Sequence, residues 1–394
     1  MTKEGPDSSR KGSVRAAIIE PIGGHGGMDY YDFGLCRGLL DAGCGVSLYT
    51  SDETRDPAIP ELGFYPVYRR IFSGANRWIR AIWYVRGSIA ALGRSVFHGE
   101  KICHLHVFQG AIEELVQISL AKLSGRRLVI TVHDVESFCP GAMSQTKIQR
   151  AYQLADRFIV HNQVSKRELV EKMGMPATKV DVVESGHYLD DAAEHIESAE
   201  AKRRLGIRES SKVVLFFGHI REVKGLDILI EAIAEASREV PEITLLVGGK
   251  PLRTEFTEYD GLIDRLGMRG RCVLHIRFIQ NSELPFFFAA SDLVALPYRR
   301  IYQSAVVLMA MSHGKAVVVS DLPGMTEMVT DGKNGYVFES GSKNALAVQL
   351  IRALNDDVGR AEIAEKALAS IRENNDWGRI GKKTLAVYAS VLSD

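Results

Sequence analysis

The sequence predicts an α/β protein of two units, each a parallel sheet covered by helices on both faces. Three observations carry this. The chain of 394 residues is longer than one hydrophobic core usually serves, so two domains are expected. Short continuous apolar runs alternate with amphipathic stretches almost from end to end, the pattern of doubly buried strands joined by crossover helices. The alternation lapses once, over the charged, alanine-rich residues 190–204, and then restarts.

Taken in order, residues 14–19, 45–50, 102–107, 128–132, 157–160 and 180–183 read as buried strands, with helical patterns at 29–42, 113–123 and 165–172. After the lapse, strands are expected at 213–218, 244–247, 273–276, 293–296, 316–320 and 336–338. Helices are expected at 226–235, 283–290 and 345–355. The last helix, 377–392, sets Ile380, Leu385, Tyr388 and Leu392 roughly on one side. The expected divisions are a disordered polar stretch at 1–13, a first domain at 14–189, a second at 190–375 and the terminal helix at 376–394. No short fixed period recurs, which argues against solenoids and propellers.

Composition narrows the class further. Lys and Arg total 49, as do Asp and Glu, so the chain is neutral overall and wholesale binding to nucleic acid is not expected. The five cysteines (Cys36, Cys44, Cys103, Cys139, Cys272) form no CxxC and read mostly as buried thiols of a reducing, cytoplasmic compartment. The first 13 residues lack the apolar core of a signal peptide, and no apolar run reaches the ~18 residues of a membrane span. A soluble or peripheral protein is expected. No three histidines, cysteines or acids fall at metal-ligand spacing, so no metal is expected.

Two strand-to-helix turns carry the chemistry. The first is Gly23-Gly24-His25-Gly26-Gly27, whose glycines let the backbone approach a ligand while the next helix offers unpaired N–H groups to an anion. A tight turn without ligand is the alternative. Neither GxGxxG nor a Walker loop can be laid on these residues. The second turn, Gly218-His219-Ile220-Arg221-Glu222-Val223-Lys224-Gly225, places Arg221 and Lys224 between a strand end and a helix. Such a pair holds a diphosphate, Arg by its bidentate fork and Lys as a point charge; two solvated loop cations are the alternative.

These segments, with Ser291 to Tyr298, Gly314 to Val318, Gly324, Glu327 and Asp331 to Gly335, resemble the family 4 retaining glycosyltransferases, of GT-B fold. The resemblance runs from Val14 to Leu392. It implies two facing Rossmann-like domains, a nucleotide-diphosphate sugar on the second, an acceptor on the first, and a terminal helix crossing back to the first. It also implies that Arg221 and Lys224 neutralise the donor diphosphate, that Gly26 and Gly27 close over it, and that His133 hydrogen-bonds the transferred sugar. A histidine satisfied by backbone is the alternative for His133. One departure stands out: Ile301 and Met309 occupy the positions where many members carry paired glutamates. Pro297-Tyr298-Arg299 and Gln303-Ser304 resemble instead a subset in which Ser304 and Ala305 offer backbone N–H groups to the phosphate, beside Gly218 and Gln303.

Between residues 62 and 99 lie six arginines and no acid. Ala75, Trp78, Ile82, Val85, Ile89, Leu92 and Val96 recur at helical spacing, a stripe expected to pack on the sheet. The opposite face would then carry Arg80, Trp83, Tyr84 and Arg94, suited to an anionic membrane surface or a lipid-linked acceptor; a solvated arginine face is the alternative. The whole reads as a cytoplasmic hexosyltransferase, peripheral to the inner face of the plasma membrane and active in bacterial surface-polysaccharide synthesis. Its partners would be a nucleotide-sugar donor and a glycan or polyprenyl-diphosphate-linked acceptor, with no cofactor and no metal. The rivals are a catalytically silent nucleotide-sugar-binding relative, favoured by the missing glutamates, and a nucleotide-sugar epimerase of the same fold.

Overall fold

The computed structural model describes residues 14–25, 27–108, 111–135, 145–190, 192, 196–252 and 254–393. The stretch expected to be disordered, 1–13, and Gly26 lie outside them. The chain divides into two compact units, Met1–Gly186 with Asn375–Asp394, and His187–Asn374.

The first unit holds β1 (Arg15–Ile19), α1 (Asp29–Asp41), β2 (Gly45–Ser51), β3 (Gly63–Tyr68), α2 (Arg77–Phe97), β4 (Ile102–Val107), α3 (Ile112–Leu123), β5 (Arg127–Val132), α4 (Gln145–Tyr152), β6 (Arg157–Val160), α5 (Gln163–Glu171) and β7 (Val180–Val182). The second holds α6 (Ser198–Arg204), β8 (Lys212–Phe217), α7 (Leu226–Ala236), β9 (Ile243–Gly248), α8 (Thr257–Arg265), β10 (Cys272–His275), α9 (Leu284–Ala290), β11 (Leu293–Leu296), α10 (Ala305–Ser312), β12 (Val317–Ser320), α11 (Pro323–Thr326), β13 (Tyr336–Phe338), α12 (Lys343–Asn355) and α13 (Asp357–Asn374). The terminal α14 (Trp377–Ser393) belongs to the first unit.

Both sheets are parallel, with orders β3-β2-β1-β4-β5-β6-β7 and β10-β9-β8-β11-β12-β13. Each chain path runs outward from one central strand and then returns to fill the other side. The direction reverses between β1 and β4 in one sheet and between β8 and β11 in the other, which opens a crevice at the carboxyl ends of those strands. The central strands are buried on both faces, as continuous apolar runs require. The strand β3 is absent from the sequence reading. It is an edge strand, mostly half-buried and interrupted by Pro66, a residue tolerated where one side of the ladder is open.

The terminal helix docks through glycines. A Cβ on Gly38 of α1 would strike the Trp377 carbonyl, and one on Gly381 of α14 would strike the Gly38 carbonyl, so the two backbones touch. Trp377 packs edge-on to Tyr31, ring centroids 5.5 Å apart. Tyr388 Oη meets His104 Nδ1 at 2.6 Å, and His104 Nε2 meets Thr131 Oγ1 at 2.7 Å, a buried chain tying α14 to β4 and β5. Burial pushes the His104 pKa down to about 3, so the imidazole is neutral, with one nitrogen donating and the other accepting. Ile380 and Tyr388 are buried as the sequence predicts, whereas Leu385 and Leu392 are only partly covered.

The helix α2 corrects the sequence reading. Trp78, Ile82, Ile89 and Val96, expected against the sheet, are exposed. Of that stripe Leu92 is buried as expected and Ala75 and Val85 are half-buried, but the other buried positions are Gly87, Ser88, Ala91 and Ser95. Tyr84, expected outside, turns inward: its ring lies 5.4 Å from that of Tyr68 and its hydroxyl donates to Gln117 Oε1 at 3.0 Å. Trp83 is half-buried, and Arg80 and Arg94 are exposed. The cause is close approach. A Cβ on Gly87 would meet the Tyr68 ring at 2.6 Å, so small residues carry the packing and the large apolar ones face out.

Gly38→Ala should destabilise the protein by about 2 kcal/mol or more in chemical denaturation, because overpacking outweighs the ~1 kcal/mol alanine gains over glycine in a helix. Gly93→Ala, with open space around its Cβ on exposed α2, should show that small gain alone. Similar stabilisation by both would mean that α1 and α14 are not in backbone contact.

Candidate active site

In the second unit, β8 ends at Gly218, whose φ of +99° is a left-handed backbone conformation that only glycine adopts without strain. A Cβ there would lie 3.5 Å from Lys224 Nζ and 3.4 Å from Val306 Cγ2, so Gly218, Lys224 and the first turn of α10 converge. Lys224 donates to Tyr298 Oη at 3.3 Å and lies 4.9 Å from the centre of that ring, which follows β11. The group therefore sits at the crevice between β8 and β11. Arg221 begins the single 3-10 turn that carries Lys224. Burial, then Lys224, Arg221 and Lys250, lower the pKa of His219, which places three cations around that imidazole. Ser304 caps α10, its hydroxyl accepting from Val307 N at 3.4 Å, and Ala305 is exposed at the helix start. Gln303 Oε1 is buried with no hydrogen-bond partner among the described residues.

The loop is held from below. Arg299 forms a two-point ion pair with Asp227 (2.8 and 2.5 Å) and donates to the Glu222 carbonyl at 3.0 Å, while its own N–H reaches the Val223 carbonyl at 2.8 Å. Burial alone would raise the Asp227 carboxyl, but the Arg299 guanidinium outweighs it and holds the pKa below its ordinary value. Arg299 is thus a positioning residue for the turn bearing Arg221 and Lys224. Ile301 and Met309, at the expected glutamate positions, pack against the core of this unit.

In the first unit, the crevice between β1 and β4 opens into a cavity of about 310 Å³. Its lining includes Glu20, Phe72 and His106, Arg77, Arg80 and Tyr84 of α2, and Glu113 and Glu114 of α3. Glu20 is fully buried and accepts the N–H groups of Ile22 and Gly23, fixing the glycine loop. Burial pushes its pKa up to about 7; burial, then repulsion from Glu20, raises that of Asp32 as well. Asp32 Oδ1 lies 3.6 Å from Nδ1 of His106, and neither ring nitrogen of His106 has a hydrogen-bond partner among the described residues. Burial lowers the pKa of His106 well below the ordinary range, so this cluster carries little net charge.

His133 lies at the end of β5, stacked on Phe108 at 4.4 Å and edge-on to Tyr31 at 5.3 Å. Its Nδ1 meets Nε2 of His161 at 3.3 Å, and its own Nε2 is buried without a partner among the described residues. Burial first, then His161 and His104, lower its pKa, so the ring is neutral. Gly27 follows with a φ of +72°. Glu20, Asp32 and His106 are absent from the sequence reading as site residues. Their only sequence signal is an acid at a strand end and another on the buried stripe of α1, ambiguous alone.

Two parallel-sheet units with crevices of this kind form the GT-B architecture of nucleotide-sugar enzymes. Residues 25–190 match the family model described as Glycosyltransferase Family 4, and residues 197–370 the one described as Glycosyl transferases group 1. Together these matches span most of the chain, which belongs to the glycosyltransferases. It is 25% identical to the D-inositol 3-phosphate glycosyltransferase of a Nocardioides species, over 93% of this chain and 85% of that protein. Among solved structures it resembles Anabaena HepE in complex with UDP and glucose (TM-score 0.73, 22% identity, 96% of this chain and 100% of that one). It also resembles a sucrose-phosphate synthase of Thermosynechococcus elongatus (TM-score 0.76, 17% identity, 96% and 99%).

Glu20 holds its proton more tightly folded than unfolded, so its contribution to stability is present at low pH and is lost as pH rises from 4.5 through about 7. Glu20→Gln removes that titration. The stability of the variant relative to wild type should therefore improve across this window, by up to about 3 kcal/mol. Urea denaturation at several pH values checks this. Parallel stability curves would show that Glu20 is not buried as described.

Proposed function

We propose that this enzyme is a retaining hexosyltransferase, moving a hexose from a nucleotide-diphosphate sugar to a glycan or lipid-linked acceptor in bacterial surface-polysaccharide synthesis. One observation carries the donor assignment: Gly218, Lys224 and the α10 N-terminus converge at the β8/β11 crevice, beside Arg221. Backbone N–H groups and two neighbouring cations match a diphosphate in charge. The names of the similar proteins support the class, since HepE was solved with UDP-glucose and the Nocardioides relative is named for an inositol phosphate acceptor. Retention and the polysaccharide role rest on the family 4 resemblance.

In this reading the bond from the sugar's anomeric carbon to the diphosphate breaks, and its electron pair leaves with the phosphate oxygen. The acceptor oxygen forms the new bond on the same face and yields its proton to the departing diphosphate. Lys224, Arg221 and the α10 dipole stabilise the charge that develops there, a task a metal serves elsewhere. The neutral His133, with Nε2 unpaired among the described residues, is assigned a hydrogen bond to the transferred hexose. The acceptor is assigned to the cavity of the first unit, whose lining combines Arg77 and Arg80, able to pair with a phosphate-bearing head, with Glu113 and Glu114, able to accept from sugar hydroxyls.

Release of nucleoside diphosphate from a panel of UDP- and GDP-sugars tests the assignment. Lys224→Ala and Arg221→Ala should each lower turnover about 100-fold or more, since oriented charges of this type are worth ~2–4 kcal/mol in the transition state. Wild-type turnover should persist in EDTA. Near-normal turnover by either variant removes that residue from the donor site, and loss in EDTA restored by manganese replaces the cationic mechanism with a metal-assisted one.

A further inference from the structure

The outward face of α2 serves none of the chemistry above, yet it is the most apolar exposed surface on any helix of the first unit. Trp78, Ile82, Ile89 and Phe97 are 66%, 60%, 57% and 86% exposed, and with Val96 they run the length of a 21-residue helix. Large apolar side chains in a continuous exposed row mark an interaction surface. Arginines frame them: Arg77, Arg80, Arg86 and Arg94 lie on the same helix, and no acid occurs from residue 62 to 99. The Arg77 guanidinium lies 4.6 Å from the centre of the Trp78 ring, so charge and aromatic face occupy one place.

We infer that this face docks the enzyme on an anionic lipid bilayer, with α2 lying in the plane of the interface. The composition is that of an in-plane amphipathic helix: isoleucine and tryptophan to enter the acyl boundary, arginines whose stems lie along it and whose heads reach lipid phosphates. The charge pattern selects the occupant. Pairing with a second copy about a two-fold axis would bring two arginine-bearing helices together, with no acid in either segment to relieve them. An anionic headgroup layer offers the complementary charge instead. The first turns of α2 also reach the cavity assigned above to the acceptor, whose lining includes Arg77, Arg80 and Tyr84. Docking would therefore bring that cavity beside the headgroup layer, a consequence that rests on the acceptor assignment, whereas the docking itself does not.

Sedimentation of the full chain with vesicles tests it. The protein should bind vesicles of phosphatidylglycerol and phosphatidylcholine at low salt, bind pure phosphatidylcholine poorly, and be released as salt rises, since exposed charges are screened over about 10 Å at 0.1 M. Ile82→Ser with Ile89→Ser, and separately Arg86→Glu with Arg94→Glu, should each weaken vesicle binding about tenfold or more. All four positions are exposed, so the circular dichroism melt and the donor turnover of both variants should match wild type. Failure of wild type to sediment, or undiminished binding by both variants, overturns the inference. So does a concentration-dependent dimer in lipid-free buffer that the isoleucine variant abolishes, because a second copy would then cover the face. Loss of donor turnover in wild type would count against the proposed reaction and leave vesicle binding to be read on its own.

Discussion

A parallel sheet must bring the chain back across one of its faces after every strand, and covering both faces requires the direction of travel to reverse once. That single reversal governs the rest of this structure. It falls between β1 and β4 in one unit and between β8 and β11 in the other, and the two turns leaving these strands part to opposite faces. Their backbone groups are left at an open crevice with no strand to pair them. The Gly218 to Lys224 turn and the Glu20 to Gly27 turn are both products of this constraint.

The two crevices then differ in electrostatics. Around Gly218 the charges are positive and near the surface, with Lys224, Arg221 and Lys250 close enough to depress the His219 pKa, and one ion pair, Arg299 with Asp227, holding the turn from behind. Around the β1/β4 crevice the ionisable groups of β1, α1, β4 and β5 are deeply buried and driven toward neutrality, Glu20 and Asp32 toward the protonated acid and His104, His106 and His133 toward neutral imidazole, while Arg77, Arg80 and Glu113 on the same cavity stay exposed. A cationic crevice suits a charged diphosphate. The buried neutral groups of the other suit hydroxyls, which need directed donors and acceptors and no net charge.

The difference also decides what could be read from sequence. Arg221 and Lys224 stand within one turn between a strand and a helix, so their proximity is visible in eight contiguous residues. Tyr298, which meets Lys224, lies 74 residues further on and enters only through the sheet order. Glu20, Asp32 and His106 are brought together from β1, α1 and β4 by parallel pairing, and none is unusual in its own segment. The phase of α2 departs from the sequence expectation for a different reason. Apolar periodicity gives most weight to large side chains, but this helix meets Tyr68 of β3 through Gly87 and Ser88, and close approach favours small residues.

The central claim is that a nucleoside diphosphate binds where β8 and β11 diverge, on backbone N–H groups and two side-chain cations. Amide hydrogen exchange of the full chain, with and without uridine or guanosine diphosphate, tests it most directly. Slowed exchange is expected in the 218–225 turn and at the start of α10, around residues 304–307, with the exposed amides of α2 unchanged. Protection confined to the cavity of the first unit, at residues 106–108 and 111–114, with none at 218–225 for either nucleotide, would contradict the account.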